Sequence, residues 1–259
     1  ATNVCLDTLA RTNRRRVDPI AHTDEPHEVP ETFDFAAQPR EHWVEPIPDA
    51  AALPAAEDSD PERHAILRES IRLAFVAALQ YLPPRQRAVL LLTQVLGWSA
   101  AETAEGLDMT VAAVNSALQR ARATLAARNP AVTPRELNAE QARLLTSYVE
   151  AFESYDVAAL TRLLHEDATL SMPPFEIWLR GPASIAQWFL THGSVCRGSR
   201  LVPVQACGQP AFAQYHDGGE HPWAIIVLDV RDDRIAGMTT FLDTETLFPR
   251  FGLPPRLEA

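Results

Sequence analysis

Apolar positions follow helical spacing through most of residues 61–164, then alternate with period two beyond Met172. Ahead of them, residues 1–16 read as the tail of a helix, with Val4, Cys5 and Leu9 as a stripe. Arg11, Arg14, Arg15 and Arg16 close that helix where cations suit its dipole. Residues 17–60 show no periodicity and are punctuated by Pro19, Pro26, Pro30, Pro39, Pro46, Pro48 and Pro54, the pattern of a long extended linker. Inside it, residues 43–49 form an apolar island that reads either as a local anchor on a neighbouring domain or as a docking motif.

Helical spacing resumes at Pro61, through Ile66, Leu73 and Val76, with Ile71, Phe75 and Leu79 widening the face. Pro83-Pro84 stops that helix and starts the next, which spans Gln86 to Leu96 and ends at Gly97. Ser99-Ala100-Ala101-Glu102 is a capping box for a short helix ending near Leu107. Asp108-Met109-Thr110 makes a tight turn into a helix from Val111 to about Ala127. Asn129-Pro130 and Thr133-Pro134 mark a second boundary. Beyond it, Leu137, Leu144, Tyr148 and Phe152 stripe one helix, a second runs from Val157 to Leu164, and a third from Ala183 to Leu190. Residues 201–206, 211–215, 223–230 and 235–242 read as strands. The fold class is therefore multidomain: an all-α helix-turn-helix followed by a compact α+β domain.

On a helical wheel, Val114, Leu118, Ala121 and Leu125 cluster on the side that packs on the preceding helices. Ser116 and Arg120 point the other way, with Ala112, Gln119 and Ala123 beside them and Asn115 and Arg122 on the flanks. A second helix with small residues in its first exposed turn approaches base edges closely, and Gln and Arg further along reach bases or phosphates. The expected DNA-binding residues are Thr110, Ala112, Asn115, Ser116, Gln119, Arg120 and Arg122.

Composition sharpens this picture. The 259 residues suffice for two domains, and 46% hydrophobic content supports buried cores. Every one of the 23 basic residues is Arg, the mark of a GC-rich genome, so Arg by itself points only weakly to phosphate. The net charge of −11 is unevenly spread: residues 17–60 carry one Arg against twelve acids, while residues 61–130 carry eight Arg against five. So small a basic excess favours DNA binding that depends on a partner. Cys5, Cys196 and Cys207 form no metal-ligand spacing and read as reduced cytoplasmic thiols; no metal or cofactor is expected. No apolar run approaches the ~20 residues of a membrane helix. The start at Ala1, without Met or signal pattern, reads as the product of removing an upstream segment.

Residues 84–92, Ala101-Glu102-Thr103-Ala104 and residues 114–122 closely resemble region 4 of sigma-70 factors, with the extracytoplasmic-function group nearest. Residues 1–7 resemble the end of that group's region 2. Trp43, Glu45, Pro46 and Pro48 resemble a linker motif of members with a SnoaL-like C-terminal domain, which residues 148–153, 172–174, 241–243 and 251–254 fit. The resemblance implies a remnant of region 2 at 1–16, an acidic linker at 17–60, region 4 at 61–129, a short joint at 130–136 and a SnoaL-like domain at 137–259. It implies a polymerase specificity subunit that binds core RNA polymerase through the β flap and β′, and the −35 promoter element through region 4. The acidic linker would thread toward the polymerase channels, imitating nucleic acid. With so little of region 2, this chain is not expected to melt a promoter alone. Asp108 stands where many helix-turn-helix proteins have Gly, which leaves the turn geometry open.

SnoaL-like domains share a cone fold with ketosteroid isomerases, so Tyr148, Met172, Trp178, Trp188, Phe212 and Trp223 are candidate cavity residues, with Phe175 and Tyr215 beside them. The alternative role for most of them is simple core packing. An isomerase needs a carboxylate base and an acidic donor in one pocket. Tyr148, His165, Asp243 and Glu245 are available, but no spacing selects a pair. The domain is therefore expected to be regulatory and not catalytic, packing on the sigma portion or the linker. A ligand-responsive DNA-binding regulator and an isomerase or cyclase fused to a DNA-binding module are the competing readings.

Overall fold

The computed structural model describes residues 28–39, 42–52, 67, 79, 82–128 and 139–258. The expected region 2 remnant at 1–16, nearly all of the helix expected from Pro61 to Gln80, and the joint at 130–136 lie outside these residues. The described residues fall into two compact units, one containing 82–128 and the other containing 28–52 together with 139–258.

In the first unit, Pro83 and Pro84 start a helix (Pro84–Leu90) that widens into a π-helical turn at Leu91–Val95. There the Leu96 N–H reaches the Leu91 carbonyl at 3.0 Å, five residues back. Gly97, at φ 72°, then reverses the chain in a conformation that costs a side-chain-bearing residue energy. Two helices follow, here called α3 (Ala100–Leu107) and α4 (Val111–Arg128), after α1 (Asp49–Ala52) and α2 (Pro84–Leu90).

The second unit is a curved six-stranded sheet against helices. Its elements are α5 (Ala139–Glu153), α6 (Val157–Arg162), β1 (Leu164–Met172), β2 (Phe175–Arg180), α7 (Pro182–Leu190), β3 (Arg200–Ala206), β4 (Gln209–His216), β5 (His221–Arg231), β6 (Arg234–Phe241) and α8 (Thr244–Arg250). Strand order is β2-β1-β6-β5-β4-β3, antiparallel except for the parallel β1–β6 pair. Register shifts at Gln214/Tyr215 and Asp229/Val230 mark bulges, which bend strands and help curl the sheet. The concave face and the apolar stripe of α5 share one core, in which Leu144, Tyr148 and Phe152 meet Leu170, Phe212, Ile226 and Met238. The α5 stripe forms because positions three and four apart share a helix face.

Two details differ from the sequence-based expectation. Leu164 begins a strand, because α6 ends at Arg162, and β1 and β2 precede α7. Neither strand alternates cleanly: β1 opens with the polar run His165-Glu166-Asp167, and β2 buries Ile177, Trp178 and Leu179 in succession. A continuous apolar run is what a strand covered on both faces shows, and periodicity does not separate it from a helix.

The linker differs most. Residues 28–39 and 42–52 lie on the C-terminal domain. Trp43 is 3% exposed and Val44 5%. Pro48 bridges to Ala206 at the free edge of β3, and the Cys207 N–H donates to the Ile47 carbonyl at 3.0 Å. The Gly208 N–H donates to Asp49 Oδ1 at 2.7 Å, and Arg250 Nη1 meets Glu45 Oε2 at 3.1 Å. The segment thus covers an otherwise unpaired strand edge.

Candidate nucleic-acid interface and domain cavity

The geometry of α3 and α4 follows from their ends. The Ser99 N–H donates to Glu102 Oε2 at 2.8 Å while the Glu102 N–H donates to Ser99 Oγ at 3.2 Å, so two orphan amides are satisfied reciprocally. These bonds from the Ser99 side chain and backbone hold the Glu102 carboxyl below its ordinary pKa. Asp108 takes the left-handed conformation at φ 53°, ψ 54°, filling the role that Gly commonly has in such turns. Thr110 Oγ1 accepts the Ala113 N–H at 3.1 Å and opens α4.

Packing then fixes which side of α4 is outward. Val114 and Ala117 join Val89, Ala104 and Leu107 in one cluster, and Ala121 joins Leu82 and Leu90 in another. Ala104 and Ala117 are small enough to let α3 and α4 approach closely. On the opposite side Thr110, Ala112, Asn115, Gln119 and Arg120 are exposed and Ser116 is half-buried. Arg120 Nη1 donates to Ser116 Oγ at 2.5 Å, laying the guanidinium along the outer face. Arg122 is exposed on the flank, where its Nη2 donates to Gln94 Oε1 of the π-helical turn at 2.8 Å. Ala117, which the wheel did not single out, is buried deeper than Leu118.

In the C-terminal unit, α5, the turn after α7 and the concave sheet enclose a cavity of about 540 Å³. Of the expected cavity residues, Tyr148, Met172, Trp188 and Trp223 line it, as does Phe175. Trp178, Phe212 and Tyr215 do not, which corrects the expectation for them. Trp178 pairs with Ser171, and because Leu170 faces the cavity, Ser171 and Trp178 face the other side. Tyr215 likewise follows the cavity-lining Gln214 and packs on Phe248 of α8, ring centroids 5.2 Å apart. Phe212 is on the inner face but deeper, filling the core 5.4 Å from the Tyr148 ring.

The wall also contains residues that sequence reasoning missed: Phe33 from the linker, and His192 and Cys196 from the turn after α7. The available signal was Phe33-Asp34-Phe35, a pair of aromatics in an otherwise polar tether. Burial pushes the Cys196 thiol above its ordinary pKa, the condition of an inert cysteine. Cys207, buried under the linker, is pushed up to about 12.

Among the described residues, no Asp, Glu, Lys or Arg is in the cavity wall. Asp243 instead accepts the Thr246 N–H at 3.2 Å to cap α8, and borders a separate cleft. His165 sits at the start of β1, with its Nδ1 accepting the Asp167 N–H at 3.2 Å.

Comparison with known proteins agrees with both units. The family described as Sigma-70, region 4 matches residues 72–125, and the SnoaL-like domain family matches residues 145–238. The crystal structure of the Mycobacterium tuberculosis extracytoplasmic function sigma factor SigJ shares the fold, with a TM-score of 0.55 at 19% identity. That match covers 81% of this chain and 74% of SigJ. The ECF RNA polymerase sigma factor SigG of Mycobacterium tuberculosis, strains CDC 1551 / Oshkosh and ATCC 25618 / H37Rv, is 42% identical over 276 residues. That alignment spans 99% of this chain and 69% of SigG. The chain therefore belongs to the extracytoplasmic-function sigma factors of RNA polymerase, as a member that joins region 4 to a SnoaL-like domain.

Proposed function

We propose that this sigma factor reads the −35 element through the outer face of α4, with Asn115, Ser116, Gln119 and Arg120 toward the bases and Thr110 and Arg122 toward the backbone. The observation that carries the assignment is the packing of Val114, Ala117 and Ala121, which among the described residues leaves the opposite face uncovered and able to enter a major groove. Ala112 supports it, since a small residue in the first exposed turn lets the helix seat closely. Core RNA polymerase, through its β flap and β′ subunit, is the partner that gives this modestly basic segment its affinity. The protein acts in the cytoplasm, and no described helix is long and apolar enough to cross a membrane.

The SnoaL-like domain, in this reading, is regulatory and non-catalytic. Among the described residues its cavity wall offers no carboxylate to move a proton, and it grips the linker that polymerase would otherwise receive. Trp43 and Pro46 are buried there, so the linker cannot serve both sites at once. The test of the DNA face uses −35 duplexes selected from random sequence by the wild-type factor bound to core polymerase. Arg120→Ala is expected to weaken binding of that complex about tenfold, the loss of about 1.4 kcal/mol that one side-chain contact to a base supplies. Unchanged affinity would show that another face reads the DNA.

A further inference from the structure

A second concavity of the C-terminal unit lies outside the cone. Thr240 lines the inner cavity, while its neighbour Phe241 lines a cleft of about 590 Å³. Successive side chains of a strand face opposite sides, so this cleft opens on the outer face of the sheet, where β6 runs into α8. It shares only Phe175, Trp223 and Leu242 with the inner cavity. The linker supplies one wall, through Gln38, Trp43 and Glu45, and the domain supplies the rest. The cleft is therefore complete only while the linker is docked.

Its chemistry is the reverse of the inner cavity's. Among the described residues, the charged groups in the wall are Glu45 and Asp243, one from the linker and one from the domain. Arg250 offsets one of these charges, its Nη1 3.1 Å from Glu45 Oε2, but is not itself in the wall. A net negative charge is left over. Around the carboxylates stand the rings of Trp43, Phe175, Trp223 and Phe241, and Trp223 is 37% exposed, within reach of a ligand. An aromatic face attracts a cation within about 6 Å of its centroid by about 0.5–2 kcal/mol, and indole does so best. A carboxylate adds a charge-assisted hydrogen bond to any N–H that the cation carries. An anion would meet two carboxylates, and a neutral ligand would leave both unused.

We infer that this cleft binds a small organic cation, a ring-bearing amidinium, guanidinium or ammonium ion, and that the bound cation fastens the linker to the domain. The volume is that of a small-molecule site. Release of the linker takes Trp43 and Glu45 away from the ligand, so the ligand binds the docked state more tightly. By linkage, it favours that state by the same factor. The cation site stands apart from promoter reading, while its effect on the linker rests on the regulatory reading of the domain.

Benzamidine and benzamide test this, because both are planar and nearly isosteric and only benzamidine is charged at neutral pH. Titrated calorimetrically into the full chain, benzamidine is expected to bind about tenfold more tightly than benzamide. Asp243→Asn keeps a side chain able to cap α8, and Glu45→Gln keeps the length of its own. Each change is expected to reduce the preference for the cation, and the two together to erase it. Trp43→Ala removes most of the linker wall and is expected to weaken benzamidine by about tenfold or more. The Cys207 and Gly208 amides bond to Ile47 and Asp49 of the linker, so their exchange reports its docking. Benzamidine at about ten times its Kd is expected to slow that exchange about tenfold. Absence of saturable benzamidine binding, equal affinities for the two compounds, a preference that survives the double change, or unchanged exchange at these amides would each overturn the inference. Retention of core polymerase by the ligand-free chain is measured separately, so its failure would count against the polymerase reading alone.

Discussion

Truncating Trp43 to Ala should release the linker from the C-terminal domain without unfolding that domain. Trp43 is 3% exposed and has Val44 and Pro46 buried beside it. An indole buries ~150–250 Å². At ~25 cal/mol per Å² that is worth about 4–6 kcal/mol, and truncation of large aromatics in packed sites costs about 3–5 kcal/mol. The other attachments near this stretch include the Gln38 N–H to the Pro174 carbonyl, the His42–Glu176 contact, the Pro48–Ala206 bridge, the hydrogen bonds of the Ile47, Cys207 and Gly208 amides, and the Arg250–Glu45 ion pair. That ion pair is partly exposed and contributes at most about 1 kcal/mol. Taking about 3 kcal/mol as the loss, hydrogen exchange at the Cys207 and Gly208 amides should accelerate by about two orders of magnitude. Amides of β5 and β6 should be unaffected. If Cys207 and Gly208 keep their protection in Trp43→Ala, the indole does not anchor the linker. If the whole domain loses protection, the segment is a part of the core and not a detachable cover.

Two further outcomes follow from the same geometry. Ala117 is 2% exposed between α4 and the helices beneath it, so Ala117→Leu overpacks that contact and should cost about 1–3 kcal/mol. Exchange should accelerate across α2, α3 and α4, with DNA binding lost in step. His216 stacks on Trp223 at 3.9 Å, and burial, opposed by Asp217 and aided by His221, holds its pKa below 6.5. The fold prefers the neutral ring, so this contribution is complete above about pH 6.5 and is lost as pH falls through the unfolded value toward the folded one. The domain's melting temperature should therefore drop as pH falls below about 6.5, and His216→Gln should flatten that slope.

The helix-turn-helix was legible because its determinants are local. A Ser–Glu capping pair, an Asp able to adopt positive φ and a Thr cap each act within four residues, and all three occur where the chain pattern placed them. Of the last four strands, β3 alternates in burial, while β4, β5 and β6 each bury five residues in succession and were legible as apolar runs bounded by turn residues. β1 and β2 were not, because β1 begins in a polar run and pairs in parallel with β6, some seventy residues away. The cavity was half legible. Tyr148, Met172, Trp188 and Trp223 were named from residue type, while Trp178, Phe212 and Tyr215 were excluded only by strand register and depth. Phe33 belongs to the wall because of a contact made across more than a hundred residues, which no local rule reports. The linker motif itself was visible as an apolar island, but its burial against β3 depends on that strand's unpaired edge.

Capture of core RNA polymerase by the full chain tests the account most directly. Immobilised chain is incubated with core enzyme, and the captured complex is challenged with −35 duplex. Stable retention of core polymerase is expected, with DNA binding that is weak for the chain alone and strong for the complex. Failure to retain core polymerase, with tight and specific duplex binding by the chain alone, would contradict it and leave a polymerase-independent regulator in its place.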